Sequence, residues 1–154
     1  MRFALGLLVM LFAVSAHAAE GPYDEQADAP RDVQRALADA AATESAVLVV
    51  FGANWCADCR ILDMTMKQEP TATLLARQFR VVKVDVGRFN RNVGIADAYG
   101  VPLASGIPAI AIVSPRNDVL LATRAGELAD ARKMGEAGIH AFFRRAAGVA
   151  RPGS

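Results

Sequence analysis

Cysteine is nearly absent from this chain. Of its 154 residues two are cysteine, so no network of disulfides can hold the fold together. Aromatic side chains are sparse at 6 %, with one tryptophan and two tyrosines, which leaves the core to aliphatic residues. Neither sign of charge dominates: 17 Lys and Arg stand against 16 Asp and Glu. A nucleic-acid partner would call for a basic stripe, and none is present. No apolar run reaches the ~20 residues that a membrane-spanning helix needs. The longest, Phe3 to Ala16, follows Arg2 and ends in the small-x-small pattern Ala16-His17-Ala18.

That block has the layout of a secretory signal peptide over residues 1–18, with an uncleaved anchor as the alternative. No cysteine follows it, which argues against a lipid anchor. Cleavage would remove Arg2 and leave equal numbers of acidic and basic side chains. Export implies an oxidising compartment, expected here to be a bacterial periplasm. A chain of this size can bury a core without covalent staples.

The two cysteines therefore need another explanation, and they sit together in "NWCADCR" (54–60). A bridge between Cys56 and Cys59 closes a loop of so few residues that it is worth roughly 2 kcal/mol, the low end for disulfides. Structural zinc needs four ligands. Once the leader is gone the chain offers two sulfurs and His140, which is expected on a distant helix. A copper(I) site on the two thiolates stays open, as does an inert disulfide. Met64 and Met66 are expected to fill gaps in the core or to sit half exposed.

The flanks give the pair a structural setting. Residues 19–30, polar with two prolines, read as a flexible leader. Residues 31–45 carry Val33, Leu37 and Ala40 at helical spacing, with Asp28 or Asp32 as a cap. "AVLVVFG" (46–52) is a continuous apolar run, suited to a strand buried on both faces. A helix over 56–68 follows, with Cys56 in its first turn, until Pro70 interrupts it. Thr71 is a candidate N-cap for a second helical piece over 71–79. A strand over 80–87, a short helix near 90–101, strands at 109–113 and 118–124 joined by the turn residues "SPRND", and a helix over 130–148 complete the order. A tail over 148–154 closes the chain. Alternation followed by a hairpin predicts one α/β domain over 31–147, a mixed sheet of about four to five strands flanked by helices. It is expected to be monomeric.

A CxxC between a buried strand and a helix reads as a redox motif. Cysteine reacts as thiolate, and the unpaired N–H groups and partial positive charge of a helix N-terminus favour the anion. Cys56 is thereby the expected nucleophile and Cys59 the resolver. Asp58 works against a neighbouring thiolate and Arg60 opposes Asp58. A less stabilised thiolate gives a more reducing couple, and ~30 mV corresponds to about 1.4 kcal/mol. The expected direction is reduction, with oxidation or isomerisation on the same residues as the alternative. A potential measured against glutathione separates the two.

"VLVVFGANWCADCRIL", "VVKVDV" and "GIPAIAIV", in this order, resemble the thioredoxin superfamily over about residues 31–146. The stretch from Cys59 to Gly87 is similar to a branch that includes exported members and the C-terminal domain of an envelope electron relay. The resemblance implies a thioredoxin-like fold and thiol–disulfide exchange without a bound cofactor or metal. It implies that Trp55 packs beside the sulfur pair and that Pro108 follows Ile107 in cis against Cys56, keeping metals away. The Ile107 backbone would pair with an extended substrate strand. Partners would be disulfide-containing exported proteins and a membrane dithiol donor. Two departures stand out. Val50 occupies the position of the family's frequent buried aspartate, and Val81 that of its lysine, so the usual proton acceptor for the resolving thiol is missing. Asp58 or water is the expected substitute. The segment "VPLASG" (101–106) is also longer than the family's common link before the proline.

Overall fold

The apolar run at 46–52 forms β1 (Ala46–Gly52), buried along its whole length. The computed structural model describes residues 21–150. The expected signal peptide over 1–18 and the end of the expected tail, 151–154, lie outside the described residues. β1 pairs in parallel with β2 (Phe79–Asp85) and antiparallel with β3 (Ala109–Val113). β3 continues antiparallel to β4 (Val119–Ala122), which makes the order β2-β1-β3-β4. The mixed sheet thus has four strands, within the expected range. The β3–β4 hairpin closes through the Ser114 N–H on the Asp118 carbonyl at 2.8 Å, with Asn117 at a left-handed φ of 68°.

Alternation along β1 divides the core. Val47, Val49 and Phe51 face one layer, with Val33, Leu37 and Ala40 of α1 (Ala29–Thr43). Ala96 of α4 (Val93–Ala98) joins that layer. Leu48 and Val50 face the other, against Leu62 of α2 (Ala57–Met66), Leu75 of α3 (Thr71–Gln78), and Ile139 and Phe143 of α5 (Ala131–Ala150). Aliphatic residues on both faces of β1 explain why its sequence does not alternate.

Several boundaries differ from expectation. α1 begins at Ala29 because the Asp28 carboxylate accepts the Arg31 N–H. Thr71 is the first helical residue of α3 rather than its cap, and its hydroxyl bonds His140 Nδ1 of α5 at 3.1 Å. α5 breaks at Gly135 (φ 66°, ψ 172°) and runs on to Ala150, absorbing the start of the expected tail. The largest correction concerns the leader. Residues 21–28 are not a loose extension: Tyr23 is 1 % exposed and belongs to the core layer of α1. The packed chain therefore reaches back to Tyr23, eight residues before the expected 31, because a single aromatic in that polar stretch finds a buried slot.

Candidate active site

The site forms where β1 ends and α2 begins. Cys56 is the N-cap of α2, with extended backbone at φ −80° and ψ 115°. Its sulfur accepts the Cys59 N–H at 3.2 Å, one of the donors that a helix N-terminus leaves unpaired. Opposite it, the Ile107–Pro108 peptide is cis, and the Cys56 thiol points at the Ile107 carbonyl at 3.6 Å. Cys56, Cys59, Ile107 and Pro108, chosen from the sequence, thus meet at one place. Both thiols are free.

The two sulfurs differ sharply. The Cys56 thiol is lowered to about 7. The Cys59 thiol, hydrogen-bonded to it, is the largest cause; burial opposes it, and the backbone N–H groups of Cys59 and Asp58 add to the lowering. Cys59 is pushed far up, by that same hydrogen bond and by burial. Cys56 is 6 % exposed and Cys59 0 %, so the acidic sulfur is also the reachable one. Alkylation of the reduced protein by iodoacetamide is expected to modify Cys56 alone, with a rate that rises with pH through a midpoint near 7. A free thiol would give a midpoint of ~8.5, and that value, or labelling of Cys59 below pH 9, would contradict this assignment.

Asp58 does not stand beside Cys59 as a free acceptor. Its carboxylate takes the Arg132 backbone N–H at 2.9 Å and the guanidinium at 3.1 Å. Burial raises the acid, but these contacts outweigh it and hold Asp58 below the usual carboxylate range. Of the two expected acceptors of the resolver's proton, Asp58 and water, Asp58 is thus clamped by a bidentate cation, which makes a carboxylate a poor base. Its charge still raises both thiols. The expected counterweight, Arg60, turns away to the Asn54 carbonyl at 2.8 Å.

A buried carboxylate is present after all, on α2 rather than β1. Asp63 is ion-paired to Lys67 at 2.7 Å and to Lys83 of β2. Burial raises it and the two ammonium groups prevail, leaving it lowered. Lys83 lies opposite Val50 in the sheet register, two residues beyond the position expected from the family pattern. Asp85 is also buried and accepts from Arg91 at 2.9 Å.

Trp55 is half exposed. Its Nε1 donates to the Gly87 carbonyl at 2.8 Å, Phe89 meets it edge-on at 6.0 Å, and Arg88 lies 5.8 Å over the ring. Phe89 also lines an open cleft of about 610 Å³ with Val93, Pro102, Leu103 and Gly106. The long segment before Ile107 thus forms a wall beside the site.

Sequence reasoning missed Tyr23. Asn54, two residues before Cys56, holds its main chain in both directions. Tyr23 N–H donates to Asn54 Oδ1 at 2.9 Å, and Asn54 Nδ2 donates to the Tyr23 carbonyl at 2.8 Å. Gly21, at φ 148°, passes so close that a Cβ would stand 2.3 Å from Asn54 Oδ1. The one available signal was a lone tyrosine in a polar segment.

A profile of the thioredoxin-like family matches residues 28–115. The thiol:disulfide interchange protein DsbD 1 of Pseudomonas aeruginosa is 30 % identical over 122 residues. That match takes in 77 % of this chain and 19 % of the relative, so the chain spans about a fifth of its length. A crystal structure of a disulphide isomerase from Xylella fastidiosa Temecula1 is 47 % identical, with a TM-score of 0.80 over 84 % of this chain and 98 % of that one.

Proposed function

The chain belongs to the thioredoxin-like family and is a thiol–disulfide oxidoreductase by its Cys56–Cys59 pair; from that premise we propose that it works as a reductase of disulfides in exported proteins. The observation that carries the direction is the moderate acidity of Cys56, lowered only to about 7. Strongly oxidising members of this chemistry stabilise the thiolate far more, with nucleophile values near 3.5, whereas reducing ones sit near 7. The Asp58 charge, which raises both thiols, works in the same sense.

The cycle needs no bound cofactor. The Cys56 thiolate attacks a substrate disulfide, one substrate sulfur leaves, and Cys59 displaces the second. The half-exposed Trp55 and Phe89, with the cleft behind them, give an apolar landing for the substrate chain. An extended segment would pair with the Ile107 backbone. The leader-like residues 1–18 support action in a periplasm. There a membrane dithiol protein would return electrons to the oxidised pair. In glutathione buffers the couple is expected to equilibrate below about −200 mV, and the reduced protein to reduce insulin when supplied with a dithiol. A potential well above that figure would assign the protein to disulfide formation instead.

A further inference from the structure

The buried hydroxyl of Tyr23 converges with the resolving sulfur. A Cβ placed on Gly52, the last residue of β1, would lie 2.2 Å from Tyr23 Oη and 2.9 Å from Cys59 Sγ. Both atoms thus occupy the small space that the glycine leaves open. The ring cannot drift from it, since Asn54 clamps the Tyr23 main chain on both sides. Asn54 Nδ2 also reaches Glu25 Oε1 at 3.2 Å, anchoring the segment beyond the tyrosine. A segment preceding α1 is therefore carried back under the redox pair by the residue two before Cys56.

From this convergence we propose that the Tyr23 hydroxyl donates a hydrogen bond to Cys59 Sγ and stabilises the thiolate that Cys59 becomes during the second exchange step. The inference rests on reading Cys56–Cys59 as an exchanging pair. The charged and titratable groups facing it are Cys56, Asp58 and Asp63 of α2. Asp58 is held by Arg132 of α5, and Asp63 by Lys67 and Lys83, so neither carboxylate is placed to assist the resolver. Burial first, then the sulfur and Asp63 charges, raise the tyrosine well above its ordinary value and keep it a neutral donor. A neutral hydroxyl aimed at a sulfur does for a developing thiolate what preorganised donors do for developing oxyanions.

Glutathione disulfide serves as the probe. Cys56 thiolate attacks it, a Cys56–glutathione disulfide forms, and one glutathione thiolate leaves. Cys59 then attacks the Cys56 sulfur, the protein disulfide forms, and the second glutathione departs with the Cys59 proton. Two electrons pass from the protein dithiol to glutathione disulfide. Tyr23→Phe keeps the ring and removes the donor. Release of the second glutathione is expected to slow about tenfold, equivalent to about 1.4 kcal/mol. The pH midpoint of that step should rise, and the first step should stay within about twofold. Replacing the two tyrosines with 3-fluorotyrosine strengthens the donor in an otherwise intact chain, and the second-step midpoint should fall. The other tyrosine, Tyr99, is committed to Asn117 Oδ1 at 2.8 Å. An unchanged second step in both proteins, or equal slowing of both steps, overturns the proposal. Failure of the unaltered protein to react with glutathione disulfide would instead overturn the exchange reading beneath it.

Discussion

Cys59→Ala is expected to stall the protein as a mixed disulfide with its first substrate. Attack by Cys56 survives, since the N-cap position and the Cys59 backbone N–H at 3.2 Å do not need the Cys59 side chain. Release does not survive. A well-oriented internal nucleophile has an effective molarity on the order of 10⁵ M or more. An external thiol at millimolar concentration cannot replace it, so multiple turnover should fall by at least about 10³-fold. The same variant tests the acidity of Cys56. The Cys59 thiol is the largest cause of its lowering, so without it the alkylation midpoint should move upward from about 7. Mass spectrometry of the trapped adduct and the iodoacetamide profile check the two halves. Turnover within tenfold of the unaltered protein, or an unmoved midpoint, would refute this division of labour between the sulfurs.

Phe143→Ala should be severely destabilising. Phe143 is fully buried in the layer that α5 forms over β1 and β3, and it meets Phe142 edge-on at 5.6 Å. Truncating a buried phenylalanine costs about 3–5 kcal/mol, through lost burial and the cavity left behind. Against a total of roughly 5–15 kcal/mol for a domain, that is a large share. The melting temperature should drop by about 10–25 °C. Arg144→Ala, at the next and exposed position, should stay within about 0.5 kcal/mol of the parent. Thermal melts of the two variants side by side check this. A drop of under about 3 °C for Phe143→Ala would mean that α5 does not seal the core as described.

Much of this architecture was legible because it depends on local chemistry. The run at 46–52 suited a doubly buried strand, since seven consecutive apolar or small residues leave no face for water. Val33, Leu37 and Ala40 repeat at a helix's period and face the core of α1 as that spacing requires. The two cysteines at the strand-to-helix junction announced the site, and the glycine-isoleucine-proline segment that faces them was legible from family pattern. The failures have a common cause. Tyr23 sits in a polar stretch with no periodicity, and its burial depends on Asn54, 31 residues away in the chain. Arg132 clamps Asp58 across 74 residues, and Lys83 meets Asp63 across 20. Which cation neutralises which acid follows from how helices pack on the sheet, and no local window contains that.

What the amino-acid order determined alone was the short-range chemistry: strand, turn, helix, and a sulfur pair at the helix start, each set by hydrophobic period and residue type within a few positions. What only the tertiary structure decided was the electrostatic company of those sulfurs. A tyrosine from before the first helix, an arginine from the last helix and a lysine from the neighbouring strand are brought within reach of the site or of its acids by burial. Burial is a property of the packed layers, and it exists only once the whole chain has closed around β1.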